Sequence, residues 1–284
     1  MSIKPRRAYV FKFKHLKSKI EMILTIISQK KKDIFRQSTN LIFSFAQFLI
    51  TLLPALGIGI GIGERAMTVV PQVQPIYWSF FIWFLIYAGC IIYGLYQALP
   101  TQRENNILRH IGLYTASAFT GVTAYALVAQ FGGSDWILIG IFIWIFISLL
   151  YAIFCLTEDR SRLTKNEVYF VLAPVSLLTG WTSLAILINF AAVIKDSGMI
   201  PDGPQETVFS LLILLLAMSV ASGIIYKSKG NVWYALPVVW GLIGVIVANT
   251  ILRPNLVVAG SAAVVILVLL GVLEFVRRKT IKRL

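Results

Sequence analysis

The sequence predicts an all-α integral membrane protein: a polytopic helical bundle of about eight transmembrane helices with both termini cytoplasmic. Three observations carry that reading. The 284 residues are 58% hydrophobic, with mean hydropathy +0.80, and only 13% are charged, against about 25% in an ordinary soluble domain. Apolar runs of about 20 residues recur along the whole chain, each long enough to cross a bilayer core. Of the 26 Lys and Arg residues, all but Arg65, Lys195 and Arg253 fall in the two tails or in alternate loops, the side that the positive-inside rule makes cytoplasmic.

The predicted crossings cover roughly 41–62, 76–98, 111–130, 136–156, 168–194, 208–226, 232–252 and 255–275. Turn-forming residues punctuate them: a Pro71/Pro75 loop, TQRENN after Pro100, FGGSD at 131–135, TEDRSRLTKNE at 157–167, DSGMIPDGPQE at 196–206, KSKGN at 227–231 and Arg253-Pro254-Asn255. A seven-segment count would break the charge alternation, so eight is the expected number. The plasma membrane is the expected location, with an organelle membrane as the alternative.

Ahead of the first crossing, residues 1–40 form a basic region. MSIKPRRAYVFKFKHLKSKI holds seven basic residues and no acid, followed by EMILTIIS, too short to span, and QKKKDIFRQ. Two roles fit: a tail that sets topology, or an interfacial segment held on anionic lipid, where each basic residue near the surface is worth about 1 kcal/mol. A transit peptide would carry more Ser and a cleavage pattern, and a secretory signal would place a short apolar core soon after the first charges. In this setting the net charge of +14 points to lipid headgroups and not to nucleic acid.

Within the crossings no Asp, Glu, Lys or Arg stands at mid-depth; Arg253 and Glu274 sit at ends. Ionisable groups at depth mark proton relays and ion pathways, so a pump or a carboxylate-coupled transporter is disfavoured, and so are most membrane enzymes. His15 lies in the basic tail and His110 at a helix mouth beside Arg109, while Cys90 and Cys155 sit inside apolar runs. No metal-ligand or Ser-His-Asp set can be assembled, and neither a metal nor a required cofactor is expected. The run GIGIGIGE at 57–64 has neither a preceding strand nor a following Lys-Ser/Thr, so it reads as a close-packing or flexible helix end and not as a phosphate loop.

Aromatic and amide groups at depth are the candidates that remain. Trp78 and Tyr96 stand near the two ends of the second crossing, as interfacial belts require. Trp83 and Tyr87, four apart and nearer mid-depth, share one helix face. The stretch PVSLLTGWTSLAILINF in the fifth crossing puts Pro174 and Trp181 seven apart on one side, and Thr182 and Asn189 seven apart on an adjoining side. An amide at that depth needs a partner in protein, water or ligand; an interhelical hydrogen bond and a ligand contact both satisfy the requirement.

These residues resemble the TspO/MBR family of tryptophan-rich sensory or translocator proteins. The Trp-x-x-x-Ala-x-x-x-Asn part of that family's last core helix is present as Trp181, Ala185 and Asn189, with Pro174 displaced outward. Trp83, Tyr87 and Gly89 fit its aromatic second helix, although Phe81 replaces a proline. The third crossing departs from the pattern and offers Tyr114, Tyr125 and Gln130. The resemblance implies a basic N-terminal tail (1–40), a five-helix core (41–195), three additional helices (196–276) and a basic C-terminal tail (277–284). It implies a pocket for a flat apolar ligand, a tetrapyrrole such as protoporphyrin or haem, or a sterol or lipid, with a sensory or regulatory role. Trp78, Trp83, Tyr87, Tyr125, Trp181, Thr182 and Asn189 are its candidate lining, and a homodimer is an expected assembly. A multi-pass transporter of a neutral or amphipathic solute is the main alternative, supported by Pro54 and Pro237 inside predicted helices and by a Tyr-x5-Trp echo between segments two and seven (Tyr77/Trp83 and Tyr234/Trp240), as an inverted repeat would give. An enzyme acting on a porphyrin or lipid and a purely structural assembly protein are the remaining classes.

Overall fold

A computed structural model describes residues 4–158 and 163–281. The basic positions Arg160, Arg162, Lys282 and Arg283, and the side chains of the first eighteen residues, on which part of the tail assignment rests, lie outside the described residues. In order, the helices are α1 (Lys4–Ile50), α2 (Ile62–Ala66), α3 (Ile82–Ala98), α4 (Asn106–Gln130), α5 (Asp135–Glu158), α6 (Lys165–Glu167), α7 (Ala173–Asp196), α8 (Pro204–Lys227), α9 (Val232–Val247) and α10 (Leu256–Ile281). No strand occurs among the described residues, and the protein is a polytopic helical membrane bundle.

Among the described residues, seven helical spans are long and apolar enough to cross a membrane: 77–98, 106–130, 135–158, 165–196, 204–227, 232–252 and 256–280. The eighth crossing is the end of α1, and it corrects the expected span 41–62. Asp33 pairs with Arg109 at the start of α4, and the Gln130 amide at the end of α4 donates to the Ile50 carbonyl (3.0 Å), so α1 runs beside α4 from one face to the other. It enters the bundle before residue 41 and ends at Ile50. Pro54 then opens a single 3-10 turn, Leu53–Leu56, instead of lying inside a helix, and Gly57 follows in the left-handed region (φ 76°). A proline lacks the N–H that would extend the preceding helix.

The end of α1 is held by polar contacts. Gln37, Asn40, Ser44 and Gln47 recur three and four apart and are buried, so they form one stripe. Asn40 donates to the Gly112 carbonyl (2.7 Å) and accepts from the Thr115 hydroxyl (2.7 Å), which accepts in turn from Tyr93 (2.7 Å). Gln37 and Gln97 each donate to the other's backbone carbonyl at 2.8 Å. This stripe lowers the segment's hydropathy while making it fit its neighbours.

At the centre stands α7. Every residue from Val171 to Ala185 is buried, so a helix that is apolar all round is enclosed by protein. Pro174 has no N–H for the carbonyl four residues back, and the preceding turn, Val168–Leu172, widens to π geometry. On one side α7 packs against α3 and α5, on the other against α8 and α9. Two apolar clusters result, one among α3, α4, α5 and α7 and one among α5, α7, α8, α9 and α10.

The described basic loops share one face. Asn105 donates to Glu167 (2.8 Å), the Lys229 ammonium meets the Glu158 carbonyl, and Gly230 abuts Arg277. Arg65, Lys195 and Arg253 lie at the opposite face. There Arg65 pairs with Asp135 (2.6 Å) and Lys195 with Glu206 (2.8 Å), and Arg253 donates to the carbonyls of Pro71 and Gln74.

Candidate functional site

A cavity of about 570 Å³ occupies the half of the bundle away from the basic loops, within the usual range of about 300–1,000 Å³ for small-molecule sites. Its walls come from α3, α4, α5 and α7. The segment 51–69, which includes α2, closes over its mouth.

Five of the seven candidate residues meet here: Trp83, Tyr87, Tyr125, Trp181 and Asn189. The four-residue spacing on α3 stacks Trp83 on Tyr87, with centroids 5.2 Å apart and planes 21° apart. Trp181, from α7, meets Trp83 edge-on (6.2 Å, 82°) and Phe80 likewise (5.9 Å, 86°). Two near-perpendicular aromatic faces therefore bound one space, an arrangement favoured by the ring quadrupoles. Tyr125 packs on Phe142 of α5 (4.1 Å), and its hydroxyl stands 3.5 Å from the Asn189 side-chain oxygen, a long contact. The Asn189 amide donates to its own helix at the Ala185 carbonyl (2.8 Å).

Two candidates lie outside the lining. Trp78 rests edge-on against Trp240 of α9 (5.1 Å, 70°). Thr182 is buried and donates to the Leu178 carbonyl (2.7 Å). On a helix enclosed on all sides, Trp181 and Thr182 point about 100° apart, and only the first faces the cavity.

The mouth comprises residues that sequence reasoning did not select. Gly59 is left-handed (φ 75°), and a side chain there would press on the Gln130 carbonyl, to which Ile60 donates (2.9 Å). Arg65, fixed by the carbonyls of Ala129 and Gly133 and by Asp135, lines the rim with Asp135 and Asp196. These are the charged residues of the lining, and the interior is aromatic and aliphatic. The motif GIGIGIGE, read as a helix end, is instead part of the cover. The clue available in the sequence was its run of glycines beside Arg65, the isolated basic residue of that loop.

Fold and cavity together define a class: a polytopic helical membrane protein built around an aromatic-walled internal cavity. A comparison with protein-family models is consistent with it and more specific. The model of the TSPO-like protein family matches residues 37–273. The chain belongs to that family, and the match takes in the end of α1 and reaches into α10. No curated protein and no solved structure matches the chain.

Proposed function

We propose that the protein binds a flat, largely apolar ligand, a tetrapyrrole such as protoporphyrin or haem, or a sterol or related lipid, and that occupancy serves a sensory or regulatory role. The observation that carries this reading is the pair of crossed aromatic faces, Trp83 on Tyr87 and Trp181, bounding a single apolar cavity. Rigid indole and phenol rings offer large contact area for stacking at small entropic cost. Asn189, Tyr125 and Gln74 supply the few polar groups that orient a ligand, and Arg65 at the rim complements an acidic substituent. The lining contains no histidine, cysteine or methionine, so the walls suit the face of a porphyrin better than axial coordination of a haem iron.

On the basic face, Lys19 and Lys30 to Lys32 stand exposed among Met22, Ile23, Leu24, Ile26 and Ile27. That mixture suits an anionic lipid surface, and we assign the N-terminal part of α1 to it.

Titration of the purified protein with protoporphyrin and, separately, with a sterol tests the reading. We expect saturable quenching of tryptophan fluorescence, weakened at least several-fold in Trp83→Ala and Trp181→Ala. Absence of saturable quenching by either, or quenching unchanged in both variants while they remain folded, would refute it.

A further inference from the structure

No side chain of α9 lines the cavity, yet α9 lies directly behind Trp181 and against the 3-10 turn Tyr77–Phe81 that leads into α3. Gly241 faces Trp181: a Cβ at that position would collide with Leu184 Cδ2 and stand 3.4 Å from the far edge of the Trp181 indole. One turn on, Gly244 faces the segment that leads into α3. A Cβ there would collide with Ser79 Oγ and come within 2.9 Å of Pro75 Cβ. The same segment is tied to α9 by backbone and side chain. Ile76 N–H donates to the Gly244 carbonyl (3.1 Å), the Trp240 indole N–H donates to the Ser79 carbonyl (2.8 Å), and Trp78 packs edge-on against Trp240. Phe80 and Phe81, which follow immediately, line the cavity, as does Gln74.

Further toward the basic face, the approach of α9 to α7 is equally close. A Cβ at Gly180 would meet the Tyr234 carbonyl and Pro237, and Tyr234 shares a hydrogen bond with Ser183 (3.1 Å). Backbone and proline rings, met at Gly180 and by way of Pro75 at Gly244, cannot swing aside as the Leu184 tip can, and close-packed interiors pass displacement on.

We propose that α9 is the back plate of the ligand cavity. Gly244 and Trp240 are positioning residues that set how far the Phe80–Trp83 wall projects into it, and Gly180 and Gly241 let α9 close on α7 behind Trp181. Cavity width then depends on the seat of α9, which couples the three C-terminal helices to ligand occupancy. The proposal rests on the ligand-binding reading above and deepens it.

The test compares full-length Gly241→Ala, Gly244→Ala and Trp240→Phe with Gly260→Ala, a glycine of α10 whose Cβ would enter open space. Two measurements are made: protoporphyrin affinity by fluorescence quenching, and the near-ultraviolet circular dichroism of the ligand-free protein, which reports the packing of its aromatic rings, Trp83, Tyr87 and Trp181 among them. Gly244→Ala should push the segment that leads into α3 and weaken protoporphyrin binding about tenfold, an overpacking effect, and alter the aromatic dichroism; Gly241→Ala, whose Cβ meets the movable tip of Leu184, should act in the same direction but less, and Gly260→Ala changes neither. Adding Ser79→Gly to Gly244→Ala removes the colliding hydroxyl and should recover part of the affinity. If a Gly→Ala variant does not fold, Trp240→Phe, which deletes one hydrogen-bond donor and keeps an aromatic ring, carries the same expectation for affinity, the dichroism being compared only among variants that keep every Trp and Tyr. Folded variants with wild-type affinity and wild-type dichroism overturn the proposal. A wild-type protein that binds neither protoporphyrin nor the sterol overturns the ligand reading instead. Without protoporphyrin binding the dichroism arm still decides the back-plate role: a changed aromatic signal supports it and an unchanged one refutes it.

Discussion

Asn40 offers the sharpest test of how the eighth crossing is held. It is buried, donates to the carbonyls of Arg36 (3.0 Å) and Gly112 (2.7 Å), and accepts from Thr115 (2.7 Å). Asn40→Ala removes two of the hydrogen bonds that join α1 to α4. Interhelical hydrogen bonds in membrane proteins average about 0.6 kcal/mol and reach about 1.7, so the pair accounts for roughly 1–3 kcal/mol. The small void left by the amide adds to this, since packing lost in an interior is only partly recovered by relaxation. We expect a destabilisation of about 2 kcal/mol in total. The control is Thr39→Ala, one residue away, where an exposed hydroxyl bonds only its own helix at the Phe35 carbonyl; a surface change of that kind stays within about 0.5 kcal/mol. Unfolding in mixed detergent micelles, followed by circular dichroism, measures both. If Asn40→Ala unfolds together with Thr39→Ala, the polar stripe does not hold α1, and the account of the eighth crossing fails.

Thr182→Val should leave protoporphyrin affinity within about twofold of wild type, because the hydroxyl faces the Leu178 carbonyl and not the cavity; a loss comparable to that of Trp181→Ala in the same quenching titration would show that α7 is wrongly rotated. Acid sensitivity should arise at Asp33, which sits at the basic face outside the crossing. Burial pushes its carboxyl up, but the Arg109 guanidinium beside it outweighs that and holds it below the ordinary carboxylate value. A depressed folded-state pKa contributes stability that is complete above the unfolded value of about 3.9 and lost as pH falls through the folded value. Unfolding midpoints of the wild type should therefore drop in that acidic window, and those of Asp33→Asn should not show this component; equal pH dependence in the two would refute the assignment.

Much of the local chemistry was legible in the sequence. The four-residue interval from Trp83 to Tyr87 predicts a shared face, and the two rings stack. The alternation of basic loops predicts eight crossings, and the contacts among Asp33, Arg109, Glu158, Lys229 and Arg277 gather the described ones on one face. The start of the first crossing was harder to see. Gln37 and Asn40 fall in the stretch 1–40 that reads as a basic tail, and their burial depends on carbonyls and hydroxyls supplied by α3 and α4.

By itself, then, the sequence determined the class of protein, the run of membrane-spanning segments and the pairing of side chains along each helix, because hydropathy and helical period are local properties of the chain. Only the tertiary structure decided which way each helix turns. α7 carries apolar and small hydroxyl residues around its whole circumference, so its own residues do not reveal that Trp181, Ala185 and Asn189 line the cavity while Thr182, whose hydroxyl is spent on the Leu178 carbonyl, lies against protein. The rotation is set by neighbours distant in sequence: Gly241 behind Trp181, Tyr234 against Gly180, and Ser176 accepting from Asn231 (2.8 Å). Azimuth in an enclosed helix is a property of the contacts between helices, and those exist only once the bundle has formed.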